Sequence, residues 1–87
     1  SVLIRIPSMT EERRRDITKI AKRLSEEGKV AVRNIRQDYL KRIKGQDDSV
    51  GEDVVKQQEK DLQKKVDEEI EKIDKMLRHK EDEIMKI

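Results

Sequence analysis

From residue 8 to the end, this chain places apolar side chains every three or four positions and has no proline to break the pattern; its single proline is Pro7. Between about residues 9 and 44, Ile17, Ile20, Ala21, Leu24, Gly28, Ala31, Ile35 and Tyr39 fall on one side of a helix, given about 100° of rotation per residue. Between about residues 50 and 87, Leu62, Val66, Ile70, Ile73, Leu77, Ile84 and Ile87 do the same. From Val66 onward the steps alternate between four and three residues if Lys80 fills one slot, which is a coiled-coil-like seam. Gly45 is a natural helix stop, and residues 46–50 form a short polar turn. At 1.5 Å per residue each helix runs roughly 50–55 Å, and so short a turn makes the two antiparallel neighbours. The spacing therefore predicts an all-α chain of two long antiparallel helices.

The helix ends carry their own signals. Ser8 with Glu11 makes an S-x-x-E capping box. Thr10 is the alternative cap, with Glu11 and Glu12 in the first turn facing the positive end of the helix dipole. Ser49 with Glu52 is a second such box, so the second helix is expected to begin near Val50. Residues 1–7 (Val2, Leu3, Ile4 and Ile6 among them) read as a strand or extended lead-in, because Pro7 pushes Ile6 away from helical dihedrals. The organisation is thus a stub at 1–7 and a helical unit at 8–87.

Composition limits what these helices can enclose. The chain has 87 residues, 48% of them charged and 32% hydrophobic, against about 25% and 45–50% in an ordinary globular domain. It is one unit and cannot bury a round core of ordinary depth. Two helices rarely enclose their own apolar stripes; a stable bundle usually has a third or fourth. The chain is expected to associate with itself or a partner, or to be part of a longer protein. Absence of cysteine excludes a disulfide scaffold and thiol redox chemistry. The longest apolar run, Val2 to Ile4, is far short of the roughly 20 residues that span a bilayer, and no signal-peptide core is readable. A reducing, soluble compartment is the expectation.

Charge is divided between the two helices. Residues 8–45 hold twelve Lys/Arg and six Asp/Glu, net +6, whereas residues 46–87 hold nine and fourteen, net −5; Arg5 completes the overall +2. Arg15, Lys19, Lys22, Lys29, Arg33 and Arg36 share one face of the first helix, within about 100° of arc, opposite the Ile17–Leu24–Ala31–Ile35 side. Seven of the twelve bases in 8–45 are arginine, against Arg78 alone in the second helix. The planar guanidinium can grip phosphate with two donors, where lysine offers a point charge. A long rod with an arginine-rich stripe can follow a phosphate backbone. The chain has no Phe or Trp for base stacking, which favours structured RNA or duplex backbone over single strands. The second helix, with Lys56, Lys60, Lys64 and Lys65 among Glu59, Asp61, Asp67 and Glu68, reads as an ordinary solvated face.

Other chemistry finds little support. His79 is the sole histidine, and with Glu83 it makes only an i, i+4 pair, short of the three or four ligands a zinc site wants. The acids around Gly51 fail the calcium-loop register, which would put Gln46 first and Val50 fifth. No phosphate-binding glycine loop and no nucleophile with a base is present, and helical carboxylate pairs such as Glu68 and Glu69 are solvated. The chain reads as a non-enzyme without metal, cofactor or small-molecule substrate. Gly28 sits mid-helix on the apolar side, where glycine costs about 1 kcal/mol against alanine; either a neighbouring helix comes close there or the residue is incidental.

Three stretches resemble a known family. Met9-Thr10-Glu11-Glu12-Arg13-Arg14-Arg15-Asp16, Lys29-Val30-Ala31-Val32-Arg33-Asn34-Ile35-Arg36 and Lys80-Glu81-Asp82-Glu83-Ile84-Met85 occur in order, and together resemble the C-terminal part of bacterial-type ribosome recycling factor over about residues 3–87. The resemblance implies the second and third helices of a three-helix bundle, with residues 1–7 as the returning strand and hinge from a β-rich domain. It implies binding to large-subunit ribosomal RNA and, with elongation factor G and GTP, separation of the subunits after termination. It implies a bacterial cytoplasm, or an organelle interior, as the location. The family's RNA-contacting arginines fall on Arg33 and Arg36. Gln37-Asp38-Tyr39-Leu40 departs from the family's usual Arg-Asp-Ala-Asn, and the hinge has Pro7 alone where two or more prolines are usual. A rival from another class is a structural coiled-coil module whose basic helix pairs with an acidic protein partner. A DNA-binding rod is disfavoured, since no helix-turn-helix pattern is present.

Overall fold

The computed structural model describes residues 10–86, which form two helices, α1 (Glu11–Lys44) and α2 (Glu52–Lys86). No strand occurs among the described residues. The expected stub at 1–7, the Ser8 cap and the seam position Ile87 lie outside them.

Of the two candidate caps for α1, Thr10 is the one observed. Its backbone is extended (φ −67°, ψ 155°), and its Oγ1 accepts a hydrogen bond from the Arg13 amide at 3.2 Å. Glu11 and Glu12 occupy the first turn, and Lys41, Arg42 and Lys44 the last, so charge complements the dipole at both ends. Gly45 ends the helix as expected, donating its amide to the Lys41 carbonyl at 2.9 Å. It does so at φ −86°, outside the left-handed region.

The start of α2 differs from expectation. Asp47 organises the turn instead: its Oδ1 accepts from the Ser49 amide at 3.1 Å and its carbonyl from the Val50 amide at 2.9 Å. The Gly51 carbonyl then receives the first helical bonds, from Val54 and Val55. Gly51 is therefore the cap and Glu52 the first helical residue, two positions short of the third-residue place it would need to close a box with Ser49. A short acidic side chain bonding the amide two residues on competes well with such a box.

Cross-helix partners show the antiparallel pairing directly. Gln46 bonds Gln58, Arg36 bonds Gln63 and Lys29 pairs with Asp74, so positions rise along α1 as they fall along α2. Val66 and Ile84 of α2 and Ser25 of α1 are the buried residues at this seam. Ala21, Gly28, Val32, Leu40 and Ile43 are half-buried along it, facing Leu62, Ile70, Ile73 and Leu77.

The seam on α1 is rotated from the expected one. Ile20 (42% exposed), Leu24 (56%), Ile35 (54%) and Tyr39 (49%) remain open, although they belong to the apolar stripe. The contact line instead runs along the edge of that stripe nearest the basic residues, and takes in Lys29 and Arg36 as half-buried members. The physical reason is width: one neighbouring helix covers a narrow strip, and the apolar arc of α1 is broader than that. The uncovered part forms a groove along the hairpin, walled by Ile17, Ile20 and Leu24 on α1 and by Met76, Leu77 and Ile84 on α2. The same flank continues past Ile35 and Tyr39.

Candidate nucleic-acid interface

The six candidate RNA-binding residues divide into two sets. Arg15, Lys19, Lys22 and Arg33 are exposed on α1, and among the described residues they make no ion pair. Lys29 and Arg36 are turned toward α2. The Lys29 ammonium sits 2.5 Å from Asp74 Oδ1 and 3.4 Å from Glu26 Oε1, with only 15% of its side chain exposed. The hydrogen bond to Asp74, together with the nearby charges of Asp74 and Glu26, raises the lysine's pKa against a smaller opposing effect of burial. Lys29 is thus a compensated charge that fastens the hairpin. Arg36 donates its Nε to Gln63 Oε1 at 2.9 Å, a neutral partner that leaves its charge uncancelled.

On α2, Lys56, Lys60, Lys64, Arg78 and Lys86 likewise make no ion pair among the described residues, but the other basic side chains are paired. Lys65 and Lys72 both reach Glu69 (3.2 and 3.1 Å), Lys75 reaches Glu71 (3.3 Å), and Lys80 and His79 both reach Glu83 (3.0 and 2.9 Å). These are one-turn pairs along a single helix, and such exposed pairs add little to stability. Their effect on the field is larger than on stability, because the positive charge is cancelled locally. Bonds from Lys72 and then Lys65 hold the Glu69 carboxyl below its ordinary range, and the bond from Lys80 does the same for Glu83. On α1, Arg23 has a loose pairing with Glu27 at 3.8 Å, and Arg42 stacks 5.4 Å from the centre of the Tyr39 ring, a cation–π contact that leaves the charge available. The unpaired charges that line up along one face are those of Arg15, Lys19, Lys22 and Arg33 on α1, on the side away from the groove.

Gln63 was passed over in the sequence, where it is one polar residue among many. The one available signal was Asp67 four positions on, since Gln-to-Asp pairs at that spacing bond along a helix. In the structure, Gln63 Nε2 donates to Asp67 Oδ1 at 2.9 Å, so the amide that receives Arg36 is itself held. Among the described residues no group of three or more His, Cys, Asp or Glu is placed to hold a metal, and no helix is long and apolar enough to cross a membrane.

Fold and surface together define a class: an all-α helical hairpin with one net-basic helix, one net-acidic helix and an open apolar flank between them. The family model for ribosome recycling factor matches residues 1–85. The chain is 48% identical over 84 residues to the ribosome-recycling factor of Clostridium acetobutylicum, covering 94% of this chain and 45% of that one. It is 45% identical over 87 residues to the factor of the same name from Amoebophilus asiaticus, with 99% and 47% covered, and 43% identical over 86 residues to that of Corynebacterium aurimucosum, with 97% and 46% covered. This chain belongs to the ribosome recycling factor family. It spans about half the length of the curated relatives it matches. No solved structure matches it.

Proposed function

We propose that this chain is the part of a ribosome recycling factor that binds large-subunit ribosomal RNA, through the basic face of α1, and that it acts with elongation factor G and GTP to separate ribosomal subunits after termination. The observation that carries the RNA contact is the balance of charge: Arg15, Lys19, Lys22 and Arg33 stand exposed on one face of α1 with no ion pair among the described residues, and residues 8–45 carry net +6 against −5 for residues 46–87. Phosphate binding draws on positive charge that is not already satisfied, and the release of condensed counter-ions drives it. Arg33 and Arg36, one turn apart, are the central contacts, with Arg15, Lys19 and Lys22 extending the track toward the start of α1. Lys29 contributes little, because Asp74 already holds its charge. The subunit-splitting role and the elongation factor rest on family membership.

The open groove is the other half of the reading. A further helix, as in the three-helix bundle expected for the family, would cover Ile20, Leu24 and Met76; without one, an exposed apolar strip of this length favours self-association. Either way the groove is turned from the basic face, so that covering it leaves Arg33 accessible.

Cross-linking tests the orientation. Arg33 and Ala31 are both exposed but point to different sides of α1. A photoreactive side chain at position 33 is expected to capture ribosomal RNA more strongly than one at position 31. Stronger capture from 31 would put the groove side on the RNA and refute the assignment. Capture of an acidic protein from 33, with no RNA, would favour a protein-pairing coiled coil.

A further inference from the structure

Arginine is effective at phosphate only when its guanidinium arrives in the right plane; a side chain with four rotatable bonds otherwise loses much of that advantage in ordering. Arg36 differs from the other stripe residues in how its head is held. Its Nε donates to Gln63 Oε1 at 2.9 Å across the helix pair. Gln63 is in turn fixed by the bond from its Nε2 to Asp67 Oδ1, also 2.9 Å, one turn further along α2. The relay therefore runs from a carboxylate through an amide to the inner edge of a guanidinium. A guanidinium has five N–H donors in one plane, and the Nε hydrogen is the only one this contact uses. The two terminal nitrogens, which make the end-on fork, stay available.

The acceptor's identity matters. A carboxylate in Gln63's place would bind Arg36 more strongly and cancel its charge, as Asp74 does to Lys29. An amide fixes the plane and leaves the charge in place. Asp67, the nearest acid in the relay, is kept one side chain back.

We infer that Gln63 is a positioning residue for Arg36, anchored by Asp67, which holds the guanidinium by its Nε so that its terminal nitrogens meet a backbone phosphate as a preset fork. This rests on the RNA-binding reading above, and gives α2 a part in a contact that charge alone would assign wholly to α1.

The test is a double-mutant cycle on binding of the full chain to large ribosomal subunits over a salt series. Gln63→Met keeps the length of the side chain and removes the acceptor. It is expected to weaken binding about three- to tenfold, the scale of one hydrogen bond. The slope of log K against log salt should stay as in the wild type, because no charge has been removed. The same change in an Arg36→Ala background is expected to do nothing, since that side chain has no Nε to hold. Gln63→Glu should weaken binding more than Gln63→Met and also flatten the salt slope. Circular-dichroism melting of each variant reads any loss of the hairpin itself. An equal loss from Gln63→Met in the wild-type and Arg36→Ala backgrounds would overturn the inference, as would no loss from it where Arg36→Ala alone weakens binding. Unchanged binding of Arg36→Ala would remove Arg36 from the interface, and the proposal for Gln63 with it.

Discussion

Gly28→Ala tests the helix packing at a single methyl group. Gly28 is half-buried in the middle of α1, facing α2. A Cβ built there would lie 3.5 Å from Ile73 Cδ1, an ordinary van der Waals contact, with no positive φ to oppose it. The methyl therefore enters without displacing its neighbour. Replacing glycine inside a helix gains about 0.8–1 kcal/mol in propensity, and half-burying one methyl adds about 0.4 kcal/mol. A gain of about 1.2–1.4 kcal/mol should raise the Tm of a unit this size by roughly 5–10 °C. The assay is thermal melting by circular dichroism over a series of protein concentrations, so that any association is separated from the helix effect. Gly28→Leu, which must press on Ile73, should lower the Tm. A Tm for Gly28→Ala at or below the wild-type value would mean that the helices approach more closely than 3.5 Å of clearance implies, and would refute the packing argument.

Three other perturbations bear on the same hairpin. Ser25 is 8% exposed and its Oγ has no hydrogen-bond partner, so Ser25→Ala should stabilise the chain by about 1 kcal/mol in melting experiments; destabilisation would show that the hydroxyl has a partner in the assembled state. The pKa of Lys29 is raised above 10.5, chiefly by Asp74, so this pair stabilises the fold below that pH and the contribution fades as pH climbs through the raised value. Asp74→Asn should accordingly lower the Tm at neutral pH, with the gap from wild type narrowing above pH 10.5; a constant gap would contradict the ion-pair account. Glu69 and Glu83 are held below 4.5, so their contribution is present above that pH and is lost as acid protonates them. Glu69→Gln should flatten the fall in stability below pH 4.5, and an unchanged acid limb would refute it.

The helices were legible in the sequence because their signals are local. Apolar spacing, Gly45 as the stop and the Thr10 candidate cap all depend on residues within a turn or two of one another, and each appears in the structure. The side of α1 that meets α2 was not legible. Helical rotation arranges Ile20, Leu24, Gly28 and Ile35 into one arc, but cannot say which strip of a broad arc one neighbour will cover. The strip chosen reaches toward the basic stripe, which is why Lys29 and Arg36 turned out half-buried and paired. Hydrophobic periodicity gives no weight to a lysine, yet a long aliphatic stem can lie in a seam while its head finds a carboxylate. Arg15, Lys19, Lys22 and Arg33, further round the helix, stayed exposed as the sequence implied. The start of α2 was missed for another reason: Ser49 and Asp47 offer rival local bonds, and sequence spacing alone does not rank them.

The most direct test of the central claim is the affinity of the chain for large ribosomal subunits measured from low to high salt, for wild type, Arg33→Ala and Lys64→Ala. Arg33 is exposed on the basic face and Lys64 is exposed on α2. If the basic face of α1 holds the phosphate backbone, Arg33→Ala should cost about 1.5–3 kcal/mol and reduce the slope of log K against log salt by about one phosphate's worth, while Lys64→Ala leaves both nearly unchanged. Equal losses of affinity and slope for the two variants would show that undirected charge, and not this face, drives binding.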